Sequence, residues 1–157
     1  GTYHHSRRAH RPFGNVPRLI LDAGASLTEN SAILTYCGSL GSSLLPNEGM
    51  AHWRTIETLA FTSTELHKNF KPFFNPAASD AERDESKKNL EARFALVDRQ
   101  PGGRAALVGE TLTVADCYLF VMLLRAKGKA APSPPAGLTA YYDRLSERAA
   151  FSCSPAD

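Results

Sequence analysis

One segment constrains the fold more than any other. The run Cys117-Tyr118-Leu119-Phe120-Val121-Met122-Leu123-Leu124 is apolar on every side of a helix, yet much shorter than the about 20 residues that cross a bilayer. Such a run is stable only as a central helix enclosed by other elements of its own domain. It is preceded by Thr113-Val114-Ala115-Asp116, a capping-box pattern in which the Thr113 hydroxyl accepts from the Asp116 N–H while the Asp116 carboxylate returns to Thr113. A buried helix start has N–H groups that water cannot reach. Thr113 and Asp116 are therefore worth about 1–2 kcal/mol together, and they serve folding rather than chemistry.

The segments around that helix also read as helices. Residues 48–74 place Ile56, Leu59, Ser63, Leu66, Phe70 and Phe73 at helical spacing, which predicts one long amphipathic helix ending by Pro72 or just before Pro76. Ser79-Asp80-Ala81-Glu82 is a second capping box, opening a helix that turns Leu90, Phe94 and Val97 inward and stops at Gln100-Pro101-Gly102-Gly103. After a Pro/Gly-rich connection at 132–137, Leu138, Tyr141, Tyr142 and Leu145 mark a last amphipathic helix.

The first third is different. Leu19-Ile20-Leu21 and Ser26-Leu27-Thr28 are short β-prone runs around the turn Asp22-Ala23-Gly24, a hairpin pattern. Glu29 and Asn30 follow in or beside the first turn of a helix that continues through Ala32-Ile33-Leu34 and Tyr36-Cys37. The N–H groups of such a turn hold an anion, and an outward Glu29 accepts from an ammonium, so the two together can clamp an amino acid. Upstream, Val16-Pro17 is an X-Pro bond, for which the cis form costs only about 0.5–1 kcal/mol; a cis turn there aims the Val16 backbone at a ligand. Taken singly, these features are also ordinary turn and cap chemistry. A composition shift after Gly38-Ser39-Leu40-Gly41-Ser42-Ser43 predicts a domain boundary near residue 45.

Composition narrows the function classes. With 157 residues, 43% of them hydrophobic, the chain can bury one sizeable core. Without a signal peptide or a membrane-length run, a soluble cytoplasmic protein is expected. The net charge of +2 comes from Arg7, Arg8 and Arg11 in a flexible basic arm over residues 1–12, so nothing beyond the arm suggests nucleic acid. His4, His5 and His10 lie in that arm without neighbouring carboxylates, so no metal is expected. Cys37, Cys117 and Cys153 are odd in number and widely spaced, a pattern of free thiols.

The order of four motifs then carries a resemblance. Asn15-Val16-Pro17, Thr28-Glu29-Asn30, Thr64-Glu65-Leu66-His67-Lys68, and Leu107-Val108-Gly109 with Thr113-Val114-Ala115-Asp116-Cys117-Tyr118-Leu119-Phe120 resemble the soluble glutathione transferases, most closely the bacterial beta class, over roughly residues 12–150. The resemblance implies an α+β, mostly α chain. Part of a thioredoxin-like glutathione-binding domain would occupy 13–45, and an all-helical C-terminal domain 46–157. It also implies a detoxifying transferase that joins reduced glutathione to small hydrophobic electrophiles, as a homodimer with no metal.

Carried over residue by residue, Asn15, Val16 and Pro17 would bind glutathione, the Val16 backbone pairing with its cysteinyl part, and Glu29 with Asn30 would hold the γ-glutamyl amine and carboxylate. Thr64, Glu65, His67 and Lys68 would approach from the long helix. His67, the catalytic candidate, and Lys68 would lie near the thiol or the glycyl end, where positive charge favours the thiolate. Read from helix pattern alone, His67 is rather a half-buried histidine bonded to backbone; the Thr64-to-Lys68 match brings the functional reading level with that one.

The pattern also departs from the family. The strand-helix-strand that carries its catalytic Cys, Ser or Tyr has no counterpart in this sequence, Ala60 stands where the beta class has an asparagine reaching its partner subunit, and Arg125-Ala126-Lys127 replaces an Arg-Trp pair. The resemblance therefore implies either an impaired transferase or a non-catalytic relative serving as a dimerisation or scaffold module.

Overall fold

The computed structural model describes residues 17–22, 24–41, 43–99, 105–128 and 131–148. Among the described residues a short hairpin leads into six α-helices. Strands β1 (Arg18–Ile20) and β2 (Ser26–Thr28) pair antiparallel, with Leu19 opposite Leu27. The first strand ends one residue earlier than its apolar run suggests, because Leu21 closes the turn by donating its N–H to the Ala25 carbonyl at 2.8 Å. Helix α1 (Asn30–Ser39) follows directly.

Helix α2 (Gly49–Phe61) begins the long amphipathic segment. The single helix expected over 48–74 is interrupted: Thr62–Leu66 form a widened π turn and His67–Phe70 a tight 3₁₀ turn before α3 (Lys71–Phe74) completes it. Leu59, Leu66 and Phe70 are buried as the spacing requires, with Ile56 and Phe73 partly so. Single π turns inside helices are frequent at functional sites, and this one carries the Thr64-to-Lys68 motif.

Helix α4 (Asp80–Asp98) opens on the capping box read from sequence: the Ser79 hydroxyl accepts from the Glu82 N–H, and the Glu82 carboxylate accepts from the Ser79 N–H at 2.7 Å. The Ser79 N–H and the Ser79 hydroxyl, which donates to the same carboxylate at 2.9 Å, hold the Glu82 carboxyl below the usual carboxylate range. Helix α5 (Val114–Gly128) is the central element, with Val114, Ala115, Asp116, Tyr118, Leu119, Phe120, Met122, Leu123 and Ala126 buried. The enclosure is not complete, since Val121 and Leu124 remain 39% and 37% exposed. Helix α6 (Ala136–Ser146) covers α5 with Leu138, Tyr141 and Leu145.

The hairpin end joins this core through close approaches. Gly38 is buried in α1, and a Cβ there would lie 2.8 Å from the Leu45 Cβ and 3.0 Å from the Val114 Cγ1. Glycine is what lets α1 meet the start of α5 at this separation. The Val114 N–H donates to the Leu44 carbonyl at 2.8 Å, so the strap between α1 and α2 supplies a backbone cap to α5. The Ser31 hydroxyl reaches the Leu59 carbonyl at 3.4 Å, which places the α1 start beside α2.

Candidate functional site

The start of α5 organises everything around it. Asp116 is fully buried, and its carboxylate accepts from the Leu107 N–H at 2.8 Å, the Thr113 N–H at 2.6 Å, the Thr113 hydroxyl at 2.9 Å and the Tyr141 hydroxyl. The box therefore differs from its expected form. The Thr113 hydroxyl donates to the carboxylate, while the Asp116 N–H turns to the Thr113 carbonyl at 3.1 Å. Burial and the neighbouring carboxylate push the Tyr141 phenol far up, which keeps it a donor. One side chain thus ties together the 105–112 connection, the helix start and α6. Burial and Asp116 also push the Cys117 thiol up, so it stays protonated and poorly nucleophilic at neutral pH.

At the hairpin end, Glu29 and Asn30 fall at the first turn of α1, as the sequence suggests. Glu29 is exposed and has φ 71° and ψ 124°, backbone angles that only glycine adopts without strain. Its carboxylate makes no capping bond to its own helix, which leaves it outward for a cation beside the α1 N–H groups. Pro17 is exposed just before β1; Asn15 and Val16 lie outside the described residues.

The other candidates lie on the π and 3₁₀ turns. The Thr64 hydroxyl donates to the Ala60 carbonyl at 3.0 Å. Glu65 faces α4, where the Arg93 Nε donates to its carboxylate at 2.7 Å. Lys68 is exposed. His67 is half-buried and bonded to side chains, not to backbone: its Nδ1 lies 2.8 Å from the Tyr118 hydroxyl, and its Nε2 is 2.5 Å from an Arg125 guanidinium nitrogen. A guanidinium can only donate, so Nε2 is the acceptor and Nδ1 carries the proton. Burial first, and the Arg125 charge second, lower the His67 pKa; the ring is neutral at neutral pH.

The candidates therefore form two groups, one at the α1 start and one on the π and 3₁₀ turns, with the Ser31 to Leu59 bond linking their elements. Tyr118, Arg125, Arg93 and Tyr141 are the partners that sequence reasoning missed. Only the first two had a signal: their spacing of seven along α5 puts a hydroxyl and a cation on one helix face. A cavity of about 700 Å³ between α5, α6 and the 105–112 connection contains none of the candidate residues.

Comparison with known proteins identifies the family. Residues 61–149 match the family model described as glutathione S-transferase, C-terminal domain. The chain is 35% identical over 115 residues to glutathione S-transferase GstA of Escherichia coli O157:H7, and it spans 57% of that protein's length. Among solved structures, the ternary complex of BphK, a bacterial glutathione S-transferase, superposes with a TM-score of 0.84 at 39% identity, covering 90% of this chain and 72% of BphK. A bacterial beta-class transferase from Sphingomonas chungbukensis gives a TM-score of 0.83 at 33% identity, covering 91% of this chain and 73% of its own. The chain has the fold of such a transferase, with a truncated thioredoxin-like N-terminal part and a helical C-terminal domain. On the family match, these identities and the shared fold, the chain belongs to the glutathione S-transferase family.

Proposed function

We propose that this chain binds reduced glutathione between the α1 start and the π and 3₁₀ turns, and takes part in its conjugation to small hydrophobic electrophiles. The observation that carries the reading is the spacing of the two candidate groups. The Ser31 hydroxyl meets the Leu59 carbonyl, and the eight residues from there to His67, part α-helix and part π turn, span roughly 12 Å when counted at α-helical rise. An extended tripeptide is about 10–11 Å long. Glu29 and the α1 N–H groups then take the γ-glutamyl amine and carboxylate, Asn30 lies beside them, and Asn15, Val16 and Pro17 meet the cysteinyl part.

At the far end Lys68 supplies the permanent positive charge that favours a thiolate or the glycyl carboxylate. His67 acts there as a neutral group, and it reaches the thiol by exchanging one of its two ring bonds. Thr64 borders the same end, while Glu65 contributes through its ion pair to Arg93, which holds the turn on α4. Residues 13–45 serve the glutathione half and 46–157 the second substrate, in a cytoplasmic, detoxifying homodimer.

A second reading, a non-catalytic dimerisation module, has one observation of its own. Met50 and Trp53 stand 65% and 63% exposed, one turn apart on α2, where a partner would cover them.

Amide-resolved NMR of the chain titrated with reduced glutathione tests the first reading. The expected result is saturable shifts at 29–31 and at 64–68 together. Shifts at one group alone would refute a ligand spanning both.

A further inference from the structure

Arg125 differs from the other paired cations of the helical part. Arg54, Arg83, Lys87, Arg93 and Lys127 each have a carboxylate within 4.0 Å; among the described residues Arg125 has none. It is half-buried on α5, where it donates to the neutral Nε2 of His67 and lies over the Phe74 ring, 5.5 Å from its centroid. A cation that loses part of its water ordinarily gains an anion in exchange. One imidazole uses one of five guanidinium donors. Its charge also works against protonation of the histidine that holds it. An arrangement that breaks the usual pairing rule without compensation inside the chain marks a place where a ligand completes it.

We propose that Arg125, held between the His67 imidazole and the Phe74 ring, is the receptor for the carboxylate of a small organic acid whose planar apolar body lies along Phe74. The fork of a guanidinium matches a carboxylate with two parallel N–H bonds. His67 orients the fork by occupying one donor, and Tyr118, bonded to the other ring nitrogen, fixes the imidazole that does so. Phe74 is 49% exposed, so a ligand can reach the ring from solvent. The carboxylate belongs either to glutathione itself or to a second ligand bound alongside it. The proposal does not depend on the glutathione reading.

The test is a titration of the whole chain with benzoate, followed by the His67 ring resonances, with benzamide as the neutral shape control. Benzoate is expected to shift those resonances saturably and to bind at least tenfold more tightly than benzamide. Arg125→Met, checked for fold by circular dichroism, should lose at least tenfold in benzoate affinity. Arg125→Lys keeps the charge without the fork, and should lose several-fold; it decides the matter if the methionine variant does not fold. Equal binding of benzoate and benzamide, or unchanged benzoate affinity in a folded Arg125 variant, would overturn the proposal.

Repeating the titration in reduced glutathione separates the two sources. Competition assigns the carboxylate to glutathione, and undiminished benzoate binding assigns it to a second ligand. If glutathione does not bind at all, the proposed function fails while the benzoate result still stands.

Discussion

Asp116→Ala is expected to destabilise the fold by about 3–5 kcal/mol, the range for removing one partner of a buried charged network. The substitution leaves the Leu107 N–H, the Thr113 N–H and the Tyr141 hydroxyl without their acceptor, in a region that water does not reach. The melting temperature should fall by about 10 °C or more, while glutathione affinity per folded molecule stays as it was. Tyr141→Phe removes a single donor and should cost only about 1 kcal/mol. An Asp116→Ala protein that melts like the parent would show that the carboxylate does not organise α5.

The second prediction concerns Glu29 and has two opposite signs. Its φ of 71° stores about 1–3 kcal/mol of backbone strain for a residue with a Cβ. Glycine adopts these angles freely but has more conformational entropy to lose. Glu29→Gly should therefore stabilise the chain by about 1 kcal/mol and weaken glutathione binding at least tenfold, about 1.4 kcal/mol, because the carboxylate partner of the ligand ammonium is gone. Thermal melting and a binding titration of the same variant read both effects. A variant that is less stable, or that binds as before, would show that the strained glutamate is not kept for the ligand.

The parts of this structure that were legible in sequence are those written in local periodicity. An all-round apolar run had to be central, and α5 is. The Ser79 and Glu82 spacing specifies its own reciprocal bonds, and both are present. The hairpin was read to within one residue, the error arising because Leu21 looks like strand but closes a turn.

What escaped was set by partners distant along the chain. His67 meets Arg125 across 58 positions and Glu65 meets Arg93 across 28; the spacing of Tyr118 and Arg125 marks a shared helix face, but no pattern within one helix names the distant partner of either bond. In the sequence Arg125 stood out only within Arg125-Ala126-Lys127 as a departure from the family's Arg-Trp pair, although its position fixes the tautomer of the histidine and, after burial, adds to keeping it neutral. The π turn was equally hidden, since Leu59, Leu66 and Phe70 keep spacings that an unbroken α-helix also satisfies. Asp116 was identified as a cap but undervalued, because its bonds to Leu107 and Tyr141 come from segments that only the fold brings together.

The central claim is that the α1 start and the His67 turn form two ends of one glutathione site. Calorimetric titration of reduced glutathione into the purified chain, with its mass in solution determined on the same sample, tests that claim most directly. The account predicts binding in the micromolar to low-millimolar range that is weakened at least tenfold by Glu29→Gly. A folded protein that releases no heat with glutathione would contradict it.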